Sequence, residues 1–418
     1  MTSSDPGYML HGIGGVLPGR RVSRRGFFVK QRQSARKRVM IVAGEASGDL
    51  HGARLVRELR ARASGIDFWG IGGKALRSEG VRLAVDCNTL AVVGITEVLP
   101  RLPQILAGMN TAKNLLRDVC PDLLILIDFP DFNLHLAATA KRIGVPVLYY
   151  ITPQVWAWRK GRVRILKRRI DHAAVILPFE ADFFRRHGIA ATYVGHPLLD
   201  HEPPKNTPTG RLWPETGAGG PLVALLPGSR EREVAGHLPA MVEAADRLAR
   251  RHPELRFAVS VAPSVRRETV EEILIHRSSL TPAALTVTEA PVEALFSACT
   301  MAVAVSGTVT LQAALAGTPT VIVYRVSALS YWAGRTLIRV PFIGLANLIA
   351  GRQVMPELIQ KEANADRIAR AVEQIVFSPE TLERMRRELS RIRLRMGRPG
   401  ASARVADIAM NLLGAPRR

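Results

Sequence analysis

From Arg38 onward, short aliphatic and β-branched runs alternate with longer stretches whose apolar residues recur at helical spacing: VMIVAG, DLHGARLVRELRARA, DLLILID, NLHLAATAKRIG, VPVLYYI and AAVILP. Runs that are apolar throughout suit strands covered on both faces, so the alternation predicts a parallel sheet wrapped by helices. After Asp200 the period lapses into HEPPKNTPTGRLWPETGAGG, dense in Pro and Gly, which reads as a linker over 201–220. The pattern then restarts: PLVALLP, a helix around Glu233 to Arg250, RFAVSV, a helix near Val270, LTVTE, a short helix near Ala294, MAVAV, a helix from Thr308, and TVIVY. Met301 to Tyr324 carries no charge over a length that could span a bilayer. Ser306-Gly307-Thr308, Gln312 and Gly317-Thr318-Pro319 divide it into strand, helix and strand instead, and no transmembrane helix is expected. Beyond Asn364 the periodicity is helical throughout, over Asp366 to Phe377, Pro379 to Met396 and Ala401 to Leu413.

The expected architecture is therefore α/β, with two Rossmann-like doubly wound domains over 38–200 and 221–364 facing a central cleft. Helices over 365–418 would cap the first domain or a partner subunit. A chain of 418 residues can bury two such cores. The excess of 58 Lys and Arg over 36 Asp and Glu, a formal charge of +22, favours anionic partners: phosphates, an acidic membrane surface or nucleic acid. Nine of those cations and Asp5 fall within residues 1–38, which leaves roughly fourteen surplus charges on the folded body. Residues 1–37, rich in Gly, Ser and Arg, read as a disordered basic extension, with a transit peptide as the sharper alternative. Cys87, Cys120 and Cys299 lack metal-ligand or disulfide-framework spacing, so the compartment is expected to be reducing and cytoplasmic.

Candidate chemistry gathers where strands end. Ala43-Gly44-Glu45-Ala46-Ser47-Gly48-Asp49 is a small-residue loop opening a helix, able to receive an anion or a sugar hydroxyl near Glu45 and Ser47; Ser47 or Asp49 as a helix cap is the plainer reading. Asp128-Phe129-Pro130-Asp131-Phe132-Asn133 follows the strand Leu123 to Ile127, at the carboxyl edge where open α/β sheets bind ligands. One of Asp131 and Asn133 could cap the next helix, whereas Asp128 lacks that explanation and is the catalytic candidate. Its DxxD spacing is not that of a metal-binding DxD, and neither metal nor cofactor is expected. Trp156, Trp158, Arg159 and Lys160 lead into a basic helix with Arg162, Arg164, Lys167, Arg168 and Arg169, a mixture that suits a lipid-headgroup rim, a sugar-phosphate site or stacking on single-stranded RNA. In the second half, Gly228-Ser229-Arg230 and Ser306-Gly307-Thr308 are two anion-binding loops on one sheet. Arg230 suits a diphosphate, and Gln312, one turn into the helix, can reach ribose hydroxyls.

Taken in order, AGEASGDLHG, VVGITEVL, DFPDFN, TPQVWAWR, VGHPLLD, LPGSREREV, SGTVTLQAALAGTP and NLIAGRQVMPELIQ resemble the lipid-A-disaccharide synthase family over about Val39 to Phe377 and the helical tail. The resemblance implies a GT-B type, metal-independent, inverting transferase. It would condense UDP-2,3-diacylglucosamine with 2,3-diacylglucosamine 1-phosphate (lipid X) into a β-1,6-linked lipid A disaccharide phosphate and UDP, at the cytoplasmic face of the Gram-negative inner membrane. It further implies Asp128 as general base for the acceptor 6-hydroxyl, Arg230 as neutraliser of the leaving diphosphate, and Asn347 as a residue lining the donor site. The donor set is then Gly228, Ser229, Arg230, Ser306, Gly307, Thr308, Gln312 and Asn347, and the acceptor set Glu45, Ser47, Asp131, Asn133, Trp156 and Arg159. Gln312 stands where the family pattern has Glu, and a neutral amide holds a ribose diol without charge assistance. Leu90 to Met109 offers an apolar stretch for acyl chains or the membrane surface, with core packing as its alternative. A homodimer is allowed and nucleic acid is not expected. The runner-up functions are another GT-B enzyme using UDP-N-acetylglucosamine, either a 2-epimerase or the peptidoglycan transferase, and a basic RNA-binding protein.

Overall fold

In the computed structural model the described residues are 36–90, 95–157, 161–200, 220–281, 284–326 and 340–415, with side chains from 102 onward in the second segment. The expected linker over 201–220 lies outside them except for Gly220, as do Trp158, Arg159, Lys160 and the extension up to residue 35.

Seven strands form the first sheet: β1 (Lys37–Ala43), β2 (Ile66–Gly72), β3 (Arg82–Asp86), β4 (Leu123–Ile127), β5 (Val147–Tyr150), β6 (His172–Val175) and β7 (Ala191–Tyr193). Their spatial order is β3-β2-β1-β4-β5-β6-β7 and every pairing is parallel. The second sheet has β8 (Leu222–Leu226), β9 (Arg256–Ser260), β10 (Leu285–Thr288), β11 (Met301–Val305), β12 (Thr320–Tyr324) and β13 (Glu357–Ile359), also parallel, in the order β10-β9-β8-β11-β12-β13. Both orders reverse direction between the first and fourth strands, and that switch point opens a crevice at the carboxyl ends.

The apolar strands sort their residues by the two-residue period of a pleated sheet. Met40, Val42, Leu124 and Leu126 enter one core of the first sheet, while Val39, Ile41, Leu123, Ile125 and Ile127 enter the core on the opposite face. In the second sheet Val223, Leu225, Val303 and Val305 face one side and Leu222, Ala224, Ala302 and Ala304 the other. Burial on both faces is why these strands are apolar without alternation.

The intervening helices are α1 (Ala46–Arg62), α2 (Lys74–Ser78), α3 (Ile95–Val119), α4 (Pro130–Arg142), α5 (Arg162–Arg169), α6 (Glu180–Arg186), α7 (Glu231–Arg251), α8 (Arg267–Arg277), α9 (Val292–Ala298), α10 (Thr308–Ala316) and α11 (Leu345–Ala350). The terminal helices α12 (Ala365–Val376), α13 (Pro379–Arg395) and α14 (Ala401–Gly414) divide their packing. Ile368, Val372 and Ile375 of α12 join the core around α7, and Leu389 and Ile392 of α13 join the core around α10. The chain then crosses back: Val405, Ala406, Ala409 and Leu413 of α14 pack into the first sheet's core beside Val39 and Ile41. Asp200 fixes this return by accepting hydrogen bonds from the amides of Gly400 (2.6 Å), Ala401 (3.1 Å) and Ser402 (3.3 Å), the open first turn of α14.

The cap expected for α1 has a different form. Its N-cap is Glu45, without a side-chain hydrogen bond. Asp49, 5% exposed, turns away from its own helix and accepts from the amides of Gly73 (2.6 Å), Ala75 (2.8 Å) and Leu76 (3.1 Å), closing the start of α2. The stretch Leu90 to Met109 is divided: Leu90 and Met109 are core residues, whereas Leu102 and Leu106 are exposed at 42% and 55%; Val92, Val93 and the Leu99 side chain lie outside the described residues. Among the described residues no helix is long and apolar enough to cross a membrane.

Candidate active site

At the switch point of the first sheet, the loop after β1 meets the loop after β4. Asp128 and Phe129 both adopt left-handed backbone conformations (φ 46° and 50°), as does Ile151 (φ 58°) at the end of β5. Non-glycine residues hold this region only where surrounding structure over-determines it, and such sites cluster where function needs a fixed side chain. The restraints here are visible. The Asp128 carbonyl accepts from the Tyr149 hydroxyl (2.9 Å) and the Asn133 amide (2.7 Å), and the Asp128 N–H donates to the carbonyl of Tyr150 (3.1 Å). Gly44 has no side chain because the Phe129 ring occupies that space; a Cβ there would lie 2.2 Å from it.

These contacts leave the Asp128 carboxyl facing a cavity of about 470 Å³ that Ser47, His51, Thr152, Arg162, Glu180 and His196 also line. Burial foremost, and then the negative charge of Glu45, push the Asp128 carboxyl up to about 6, opposed by the Phe129 N–H. It is thus a stronger base than a free aspartate and still ionised at neutral pH. Glu180 is buried, and burial raises its carboxyl to about 7 although it accepts from Trp156 Nε1 (2.8 Å) and the amides of Leu177 (2.9 Å) and Ile176 (3.2 Å). His196 goes the other way. Burial first, then neighbouring His51, lower it to about 4, so its imidazole is neutral, with Nδ1 accepting from the Leu198 amide (3.2 Å).

Across the cleft, the loops after β8 and β11 line a second cavity of about 360 Å³ with Gly228, Ser229, Arg230, Glu233, Ser306, Gly307, Thr308 and Gln312. Gly228 has φ 129°, and a Cβ would lie 2.5 Å from the Glu233 side chain. Glu233 holds the loop by accepting from the Ser229 amide (2.9 Å) and pairing with Arg230 (3.1 Å), whose side chain is 59% exposed. Thr308 opens α10 and lines both cavities, so the positive end of this helix faces the junction of the two. Gln312 donates to Glu293 of α9 (3.1 Å), which brings a carboxylate beside the amide that replaces the family's acid.

Several candidates brace the site instead of facing it. Asn133 is fully buried and ties its amide to the carbonyls of Ile127 (3.3 Å) and Asp128 (2.7 Å). Asn347, also fully buried, donates to the Met355 carbonyl (2.8 Å) and Glu357 (2.7 Å) and accepts from the amides of Val354 (2.7 Å) and Met355 (2.9 Å). That saturates the side chain. Trp156 packs edge-on against Phe179, its N–H taken by Glu180, within the apolar seam where Leu177 and Leu198 meet the second sheet's core. Asp131, 76% exposed, pairs with Arg162. Residue-type reasoning passed over His51, Glu180 and His196. The HPLLD run after β7 was a usable signal for His196; nothing local marks Glu180, whose surroundings come from distant segments. Among the described residues, no cluster of three or more His, Cys, Asp or Glu could hold a metal ion.

Two doubly wound domains with facing cavities at their switch points define a GT-B type glycosyltransferase fold. Solved structures agree on that fold: UDP-GlcNAc 2-epimerase from Neisseria meningitidis bound to UDP-GlcNAc (TM-score 0.62, 14% identity, 90% of this chain and 100% of that one) and MurG of Acinetobacter baumannii (TM-score 0.56, 13% identity, 90% and 99%). At such identity the likeness extends to the fold alone. Sequence narrows it further, because the family model for lipid-A-disaccharide synthetase matches residues 39–406. Lipid-A-disaccharide synthase of Myxococcus xanthus is 44% identical over 379 residues (90% of this chain, 97% of the relative) and that of Geobacter sulfurreducens 45% over 378 residues (90% and 97%). The chain belongs to the lipid-A-disaccharide synthase family.

Proposed function

We propose that this enzyme transfers diacylglucosamine from UDP-2,3-diacylglucosamine to the 6-hydroxyl of 2,3-diacylglucosamine 1-phosphate, releasing UDP and a β-1,6-linked disaccharide phosphate. The observation that carries the reading is the placement of Thr308. It lines the cavity of Asp128 and the cavity of Arg230, so a sugar bonded to a diphosphate at this junction would have a base on one side and cationic groups on the other.

In an inverting transfer the acceptor oxygen approaches the anomeric carbon opposite the departing diphosphate, through an oxocarbenium-like state. Asp128 takes the 6-hydroxyl proton as the new bond forms, and its basicity near 6 matches that task at neutral pH. Arg230 and the amino end of α10 balance the charge growing on the diphosphate, which a helix terminus and a permanently charged guanidinium do without reorganising. Gln312, which donates to Glu293, would hold the ribose. Acyl chains and the cytoplasmic face of the inner membrane would meet α3 through Leu102 and Leu106, whose exposure supports peripheral attachment.

The test incubates purified protein with both substrates in EDTA and follows disaccharide phosphate and UDP. Equimolar release of the two is expected. Epimerised UDP-sugar without disaccharide, or turnover that stops on chelation, would overturn the reading.

A further inference from the structure

The cavity in front of Asp128 is built for more than a sugar ring. Arg162 at the start of α5 is the one guanidinium or ammonium group lining it among the described residues, with its side chain only 16% exposed. Its partner there is the carboxylate of Asp131, itself 76% exposed. Thr152, after β5, lines the same cavity; it is 5% exposed, and its hydroxyl has no hydrogen-bond partner among the described residues. A buried hydroxyl without a partner costs stability unless a ligand completes it. Asp128 and Glu180 are acids, and buried His196 is neutral at physiological pH.

We propose that Arg162 and Thr152 form a phosphate subsite, in which a substrate phosphate displaces Asp131 from the guanidinium and accepts the Thr152 hydroxyl. A planar guanidinium offers two parallel donors to phosphate oxygens, and a dianion competes well against a single exposed carboxylate. Two phosphates could reach this cavity under the reaction proposed above, on which this inference rests: the anomeric phosphate of the acceptor and the diphosphate of the donor. The acceptor phosphate fits better, because Arg162 and Thr152 belong to the first domain with Asp128, whereas the second cavity has its own arginine at position 230.

The experiment compares wild type with Arg162→Gln, Arg162→Lys, Thr152→Val and Asp131→Asn. Each is assayed with 2,3-diacylglucosamine 1-phosphate and with the same sugar lacking its phosphate, and UDP affinity is measured separately. Arg162→Gln is expected to raise KM for the phosphorylated acceptor about ten- to a hundredfold, while the phosphate-free acceptor changes less than about twofold. Arg162→Lys should recover part of the loss, Thr152→Val should cost a few-fold on the phosphorylated acceptor only, and Asp131→Asn should lower its KM. Unchanged acceptor discrimination with weakened UDP binding in Arg162→Gln would assign the same subsite to the donor diphosphate. Equal losses on both acceptors with UDP binding intact would overturn the subsite. Absence of disaccharide from the wild-type enzyme would instead overturn the reaction itself.

Discussion

The two cavities of this enzyme occupy equivalent places, each at the switch point of a parallel sheet, yet they are made of different material. The first is lined by ionisable side chains that burial displaces from their ordinary range, with Asp128 near 6, Glu180 near 7 and His196 near 4, and its backbone is left-handed at three residues. The second relies on a glycine turn, an exposed arginine and the amino end of a helix, and Arg230 and Glu233 answer each other at its rim. One fold thus supports two kinds of site. Proton transfer needs a group whose basicity is tuned, which requires burial and strain; holding a diphosphate needs only permanent charge and aligned amides.

The contrast can be broken by mutation. Asp128→Asn should produce the largest effect, a loss of turnover of at least about a thousandfold with UDP affinity unchanged; loss of a general base accounts for much of that. Single-turnover assays and calorimetry with UDP would separate the two quantities, and a variant retaining near-normal rate would remove Asp128 from the chemistry. Arg230→Ala should show the complementary pattern, with UDP binding and turnover falling together by about a hundredfold, as expected on removing a charge-stabilising donor.

A subtler probe is pH. As the proposed general base Asp128 would act ionised, so kcat/KM should rise with pH through about 6. Glu45→Gln removes the neighbouring negative charge that helps to raise Asp128, and the acidic limb should move to lower pH by less than about one unit. A limb that stays in place would show that burial alone sets the basicity. The smallest effect concerns Gln312. Replacing it by the family's Glu would set two carboxylates against each other, since Glu293 lies 3.1 Å from the present amide. UDP affinity, measured by calorimetry at neutral pH, should then fall a few-fold.

Much of the architecture was legible because its signal is local. Met301 to Tyr324, uncharged throughout, divided at its small residues into β11, α10 and β12, and the helix read around Glu233 to Arg250 runs from Glu231 to Arg251. The direction of polar side chains was not legible. Asn133 and Asn347 fall in runs that suggest ligand contact, yet they sit on α4 and α11, where the Asn133 amide N–H groups and the whole Asn347 side chain hold backbone. Asp49 caps the neighbouring helix and not its own, because the β2–α2 turn brings three amides to it. Glu180 and Trp156 meet across 24 residues of chain, and no spacing rule announces such a pair.

The return of α14 to the first sheet has a consequence for biosynthesis. The core around Val39 and Ile41 is closed by Val405, Ala409 and Leu413, so the amino-terminal domain cannot finish folding while the ribosome is still translating the second. Until α14 arrives, a stripe of β-sheet core stays open, and the domain made first is the one completed last.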